Sequence, residues 1–210
     1  MIDAALIERC ADPSLSVEIV EQFVSAAGSD DPLAITIKSG GRLVLIPKPK
    51  TPDELLEIMR QHVGHASVRV GITQYPAGVR IKDIADLDPK LADPCENLKL
   101  GTALFAKVAR IVTKWYGSPT SKDVLPQMFD DALYAWRTGE FEGAKVFQAD
   151  DPGGATFLFA KDLLTAEKEG DDALGHQQTV TPETAARPPV SDADAGSADM
   201  RIDLSRIGGK

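Results

Sequence analysis

The run from Asp93 to Gly117, DPCENLKLGTALFAKVARIVTKWYG, constrains the fold more than any other stretch of the chain. Leu98, Gly101, Phe105, Val108, Val112 and Trp115 recur at steps of three or four residues, the spacing that lines up one face of an α-helix. Asp93 can cap the helix by accepting a backbone N–H, Pro94 suits the first helical position, where no N–H is needed, and Gly117 ends it. An apolar stripe of this length must be covered on its whole face, so the helix belongs in the middle of an α-rich core.

The other elements are expected to pack around it. Ile19, Val20, Phe23, Val24 and Ala27 share one face of a helix that begins at Val17 and stops at Gly28. Asp3 to Arg9 can form a short helix before it, and Ser14 or Ser16 can cap its start. Leu33 to Lys38 and Arg42 to Ile46 are β-rich runs joined by Lys-Ser-Gly-Gly, which reads as a hairpin closed by Pro47 and Pro49. Thr51-Pro52-Asp53-Glu54 is a capping box ahead of the stripe Leu55, Ile58, Met59 and Val63. Val68, Val70 and Ile72 alternate as in a strand leading into Gly71-Ile72-Thr73-Gln74-Tyr75. A further helix runs from about Val124, through Leu125, Met128, Ala132, Leu133 and Trp136, to Thr138 and Gly139. Ala144 to Leu164 is less regular, with Phe147, Phe157, Leu158 and Phe159 as packing residues.

The fold class expected is therefore α+β, mostly α, as one domain over residues 1–165 with a small β-hairpin. Residues 166–210 read as an acidic flexible tail, because a segment rich in Asp, Ala, Gly, Pro, Thr and Ser buries too little apolar surface to offset its ordering entropy. The alternation from Met200 to Ile207 inside that tail is a segment that can add to a partner.

Charge and cysteine usage exclude several functions. A net charge of −9 over 210 residues argues against a general binder of nucleic acid or anionic membrane. The densest basic cluster, Lys38, Arg42, Lys48 and Lys50, reads as the solvated surface of the hairpin. No apolar run is long enough for a membrane span, and the first residues lack the basic and apolar regions of a secretory signal, which makes the cytoplasm the default compartment. His62, His65 and His176 lack the spacing of a metal site, and no phosphate loop, nucleophile elbow or Cys-x-x-Cys motif occurs, so neither metal nor cofactor is expected. On the residues alone, Cys10 and Cys95 are two buried thiols of a reducing compartment.

Four ordered motifs carry a resemblance. They are Ala27-Gly28 with Pro32-Leu33-Ala34-Ile35, then Gly71-Ile72-Thr73-Gln74, then Asp93-Pro94-Cys95-Glu96-Asn97-Leu98 with Gly101, then Ala135-Trp136-Arg137-Thr138-Gly139. In this order they resemble the core of the lytic transglycosylases of type IV secretion systems. Over residues 1 to 160 the chain is similar, more closely, to the TraH conjugal transfer proteins of plant-associated bacterial plasmids.

The resemblance implies a lysozyme-like domain, a role in conjugation, and partners among other conjugal transfer proteins, with peptidoglycan as a further one. It also puts Ala27 where the family carries its catalytic Glu, and Arg137 where it carries an Asn. Glycosidic cleavage needs a carboxylic acid to protonate the leaving oxygen, and losing such help costs on the order of 10² to 10⁴ in rate. Of the substitutes, Glu21 points elsewhere on the helix, and Asp30 and Asp31 are short side chains in a solvated turn. The expectation is a non-enzymatic scaffold, with an atypical active transglycosylase as the alternative. Groove residues implied for a glycan or peptide are Gln74, Tyr75, Tyr116, Trp136 and Arg137, the two aromatics Tyr116 and Trp136 being equally readable as core. The family's cysteines stand at Cys10 and Cys95, which implies a bridge and with it a periplasmic location.

Overall fold

The computed structural model describes residues 2–79, 81–119 and 121–156. Helix α1 (Ala4–Cys10) is capped by Asp3, and α2 (Val17–Ala27) by Ser16, whose Oγ accepts from the Ile19 N–H at 3.4 Å. Strands β1 (Ile35–Ser39) and β2 (Arg42–Val44) form a hairpin through Gly40 and Gly41, with φ of +55° and +77°. Two successive left-handed residues make a type I′ turn, whose twist matches that of paired strands. Helix α3 (Pro52–His62) starts at Thr51, whose Oγ1 accepts from the Glu54 N–H, while the Glu54 carboxylate takes the Lys50 N–H.

Strands β3 (Ser67–Val70) and β4 (Tyr75–Pro76) complete an antiparallel sheet of order β2-β1-β3-β4. Short 3₁₀ turns lead into α4 (Pro94–Trp115), capped by Asp93, and α5 (Leu125–Thr138) ends at Gly139 with φ +80°. A second hairpin, β5 (Glu140–Phe141) with β6 (Ala144–Lys145), follows.

Among the described residues the fold is thus mixed α and β, mainly helical, with two small sheets. The long central helix is where its stripe requires it to be from Leu98 to Val112, whereas Trp115, expected on the same buried face, is 56% exposed at the helix end. Phe105 on α4 stacks on Phe23 of α2 at 4.1 Å between ring centroids, and Trp136 of α5 meets Phe23 edge-on at 5.1 Å. These three rings are fully buried at the centre of the main core, which α1, α2, α4, α5 and Phe147 build. A second core lies under the sheet, where Ile37, Val68 and Val70 meet Leu55 and Met59 of α3.

Several boundaries differ from the sequence reading. The hairpin strand expected to Ile46 stops at Val44, since Pro47 has no N–H with which to extend a ladder. The two-residue strands β4, β5 and β6 are too short to show an alternation. Gly28 ends α2 without a left-handed φ; its value is −102°. Its reason is space: a β-carbon there would run into the carbonyl oxygens of Ile72 and Val24. The boundary at residue 165, the tail 166–210, the packing roles of Phe157, Leu158 and Phe159, His176 and the Met200 to Ile207 segment lie outside the described residues.

Candidate functional site

The four motifs converge on one turn, Gly71 to Gln74. The Ser29 N–H at the end of α2 donates to the Ile72 carbonyl at 2.8 Å, and the Gly71 N–H donates to the Ala34 carbonyl at 2.8 Å. From the other side, Asn97 on α4 holds the turn. Its Oδ1 accepts from the Thr73 N–H at 3.0 Å and the Thr73 hydroxyl at 2.9 Å, and its Nδ2 donates to the Val70 and Leu91 carbonyls at 3.1 Å each. Asn97 is completely buried with every polar atom partnered, which is what makes a buried amide tolerable. Two glycines are required by closeness. A β-carbon on Gly71 would strike the Asn97 amide, and one on Gly101 would strike the Thr73 side chain. The turn ends with Gln74 at φ +51°, a left-handed conformation that a non-glycine residue keeps only when its surroundings impose it.

Two arginines complete the arrangement. Arg69 of β3 donates to the carbonyls of Gln74 (3.1 Å), Arg137 (3.1 Å) and Trp136, joining the turn to the end of α5. Its guanidinium lies 5.7 Å from the Trp136 ring centroid and 5.6 Å from that of Phe147. Burial lowers its pKa to about 10, so it is still protonated at neutral pH. There it faces the negative end of the α5 dipole. Arg137 donates to the carbonyl of Ala26, in the last turn of α2.

At the position of interest, Ala27 is partly buried against the main core. A cleft of about 780 Å³ runs beside it between α2 and α5, with Val24, Phe129 and Leu133 on its floor and Glu21, Asp30 and Asp130 among its lining; Ala27 is not part of that lining. All three carboxylates are exposed. Asp31 is paired with Lys48 at 2.8 Å, and the hydrogen bond from Lys48 holds its carboxyl below the ordinary range. A group so held is a carboxylate at neutral pH and gives no proton.

The residues singled out in the sequence fall into two sets. Ala27, Gln74, Trp136 and Arg137 meet around the turn. Gln74 is nearly enclosed, its Nε2 donating to the Gly71 carbonyl, and the Trp136 ring is fully buried, so it presents no face to a groove. Tyr75 and Tyr116 stand apart. Tyr75 lines a second cleft, of about 640 Å³, with Leu104, Lys107, Arg110 and Phe147. Tyr116 follows the far end of α4, roughly 22 Å along the helix from Gly101 at 1.5 Å per residue. Its hydroxyl donates to Asp131 at 2.7 Å, which raises its pKa.

Cys10 and Cys95 form a disulfide with Cα atoms 5.2 Å apart, joining α1 to the first turn of α4. Among the described residues no cluster of three or more His, Cys, Asp or Glu is placed to hold a metal ion, and no helix is long and apolar enough to cross a membrane.

Two residues that organise the site carry no role in the sequence reading. Arg69 sits between Val68 and Val70, so period-two alternation alone turns it away from the second core and toward α5. Asn97 is a polar residue beside Leu98 in the first turn of α4, fully buried, and the Asp-Pro-Cys-x-Asn motif that contains it is the signal that could have found it.

The TraH_2 family model matches residues 1–209. A protein of Sinorhizobium fredii (strain NBRC 101917 / NGR234), described as "Uncharacterized protein y4dP", is 57% identical over 209 residues, with 100% of each chain covered. No solved structure matches the chain.

Proposed function

The chain belongs to the TraH_2 family, and from that premise we propose that it serves plasmid conjugation as a non-enzymatic accessory of the transfer apparatus, on a lysozyme-like scaffold that has lost its acid. The convergence of four motifs, separated in sequence, on the Gly71 to Gln74 turn supports a common origin with the secretion-system transglycosylases. The observation that carries the non-enzymatic reading is the chemistry at the end of α2. Ala27 occupies the acid position, Arg137 binds the carbonyl beside it, and Asp31 is held ionised by Lys48. A general acid works from an apolar pocket that keeps its proton, and cations at this end of α2 favour the opposite state.

The protein would act through contacts with other transfer proteins, or with peptidoglycan. The disulfide favours an oxidising compartment, hence the periplasm; labelling of free thiols in intact cells should find Cys10 and Cys95 blocked, and two reactive thiols would return the protein to the cytoplasm.

One observation favours a second reading, an atypical active transglycosylase: three carboxylates, Glu21, Asp30 and Asp130, line the cleft next to Ala27. Mating frequency separates the two. Deleting the gene from its plasmid should lower transfer, and the natural chain should restore it. The triple variant Glu21→Gln, Asp30→Asn, Asp130→Asn should restore it equally. Unchanged transfer after deletion contradicts the conjugal role, and a folded triple variant that neither digests cell wall nor restores transfer, beside a natural chain that does both, favours the catalyst.

A further inference from the structure

Two exposed leucines lie on and just past the free edge of the sheet. Leu43 is 60% exposed and Leu45 is 89% exposed, and among the described residues β2, which carries Leu43, has a neighbour on one side only. Natural sheets protect such edges with charge or proline, so an edge bearing two bare leucines marks a contact surface.

Backbone geometry adds a second, independent observation. The type I′ turn closes with the Ser39 and Arg42 pair, whose members are hydrogen-bonded to each other across the loop. In an antiparallel ladder bonded and non-bonded pairs alternate. The next pair, Lys38 with Leu43, is therefore non-bonded, and the N–H and C=O of Leu43 point outward from the sheet edge. A strand added there would find a donor and an acceptor at the residue whose side chain is bare. Directly opposed residues share a face, so the Lys38 side chain stands beside that of Leu43, and Leu45 follows one residue past the end of β2. Pro47 and Pro49 limit the usable edge to a few residues.

Charge selects the occupant. Lys38 and Arg42 are exposed, and neither forms an ion pair among the described residues. Lys38 stands on the Leu43 face and Arg42 on the other, so an added strand that covers Leu43 with apolar residues turns its alternate residues toward Arg42, on a chain whose net charge is −9. A second copy of the same edge would bring like charges together, and an anionic lipid surface would meet the repulsion of the whole molecule and offer no strand to the outward backbone groups.

We infer that the β2 edge of the hairpin docks an extended segment of a partner protein in which apolar and acidic residues alternate, by strand addition. The inference deepens the scaffold reading above and rests on it only in supplying the contact through which a non-enzymatic protein acts.

The test is fluorescence anisotropy with the full-length chain and short synthetic peptides alternating valine with aspartate or valine with lysine. The aspartate peptide should bind saturably, and the lysine peptide about tenfold or more weakly. Leu43→Pro, which removes only the outward N–H, should weaken the aspartate peptide by about tenfold while the thermal melt is retained. Should that variant fail to fold, Lys38→Glu with Arg42→Glu leaves the backbone untouched and must shift preference to the lysine peptide. The inference is overturned by absence of aspartate-peptide binding, by equal binding of both peptides, by binding indifferent to Leu43→Pro, by adsorption to phosphatidylglycerol vesicles in place of the peptide, or by self-association that blocks it. None of these outcomes bears on wall digestion or mating, so the two readings stand or fall separately.

Discussion

A single amide, Asn97, holds the turn on which the molecule is arranged, and its replacement is the sharpest test at the scale of one residue. Asn97→Ala leaves the Thr73 N–H and the Val70 and Leu91 carbonyls without their partner in a dry interior. The expected loss is about 2–4 kcal/mol of unfolding free energy, read from urea denaturation. Asn97→Asp should cost at least as much, because it removes both donors and buries a charge; an alanine variant within about 0.5 kcal/mol of the natural chain would contradict the role given to it.

Arg69 is the second residue of this kind. Arg69→Met keeps part of the packing against Trp136 and Phe147 but strips three carbonyls of their donor, and should cost about 1.5–3 kcal/mol. These roles were only half legible beforehand. The motifs containing Gly71, Asn97 and Gly101 stand out in the sequence, but their purpose is mutual closeness, which is a property of three elements meeting and leaves no trace in any one of them.

Among elements, α4 was legible from its stripe and its Asp-Pro start, and so were α2, α3 and α5, because helical periodicity repeats over enough residues to be read. The β5 and β6 hairpin was not, since its strands are two residues long and are fixed by packing under α5. What ties α4 to the rest is testable at this scale. The disulfide spans a sequence separation of 85. Loop-closure entropy for a loop of that length approaches roughly 4.5 kcal/mol, so reduction, or Cys10→Ser with Cys95→Ser, should lower stability by about 2–5 kcal/mol. Denaturation with and without reductant measures this, and equal midpoints would mean that the bridge does not form.

Toward the C-terminal end of α4, Arg110 grips Asp151 with two hydrogen bonds, which lowers the Asp151 pKa to about 2. The unfolded chain then binds the proton more readily than the native one. Stability from this pair is full above roughly pH 4 and falls as pH drops toward 2. Asp151 is 41% exposed, so screening keeps the effect small. Acid titration of unfolding should show a shallower loss between about pH 4 and 2 in Asp151→Asn than in the natural chain, and parallel curves would contradict it.

For the molecule as a whole, family membership fixes a class of protein, whereas the proposed loss of activity turns on the end of one helix. The alanine at position 27, which the proposed reading puts in the acid's place, is plain in the sequence. That Arg137 reaches across from α5 to the neighbouring carbonyl is not, because the two residues lie 111 positions apart. Their meeting makes restoration of the acid a two-step affair. Glu placed at position 27 would have a guanidinium close by, which favours the ionised form and withholds the proton.

The most direct measurement is therefore digestion of purified peptidoglycan by the natural chain, by Ala27→Glu, and by Ala27→Glu with Arg137→Asn. The account predicts no turnover by the natural chain or the single variant, with any activity confined to the double variant. Release of muropeptides by the natural chain would contradict it.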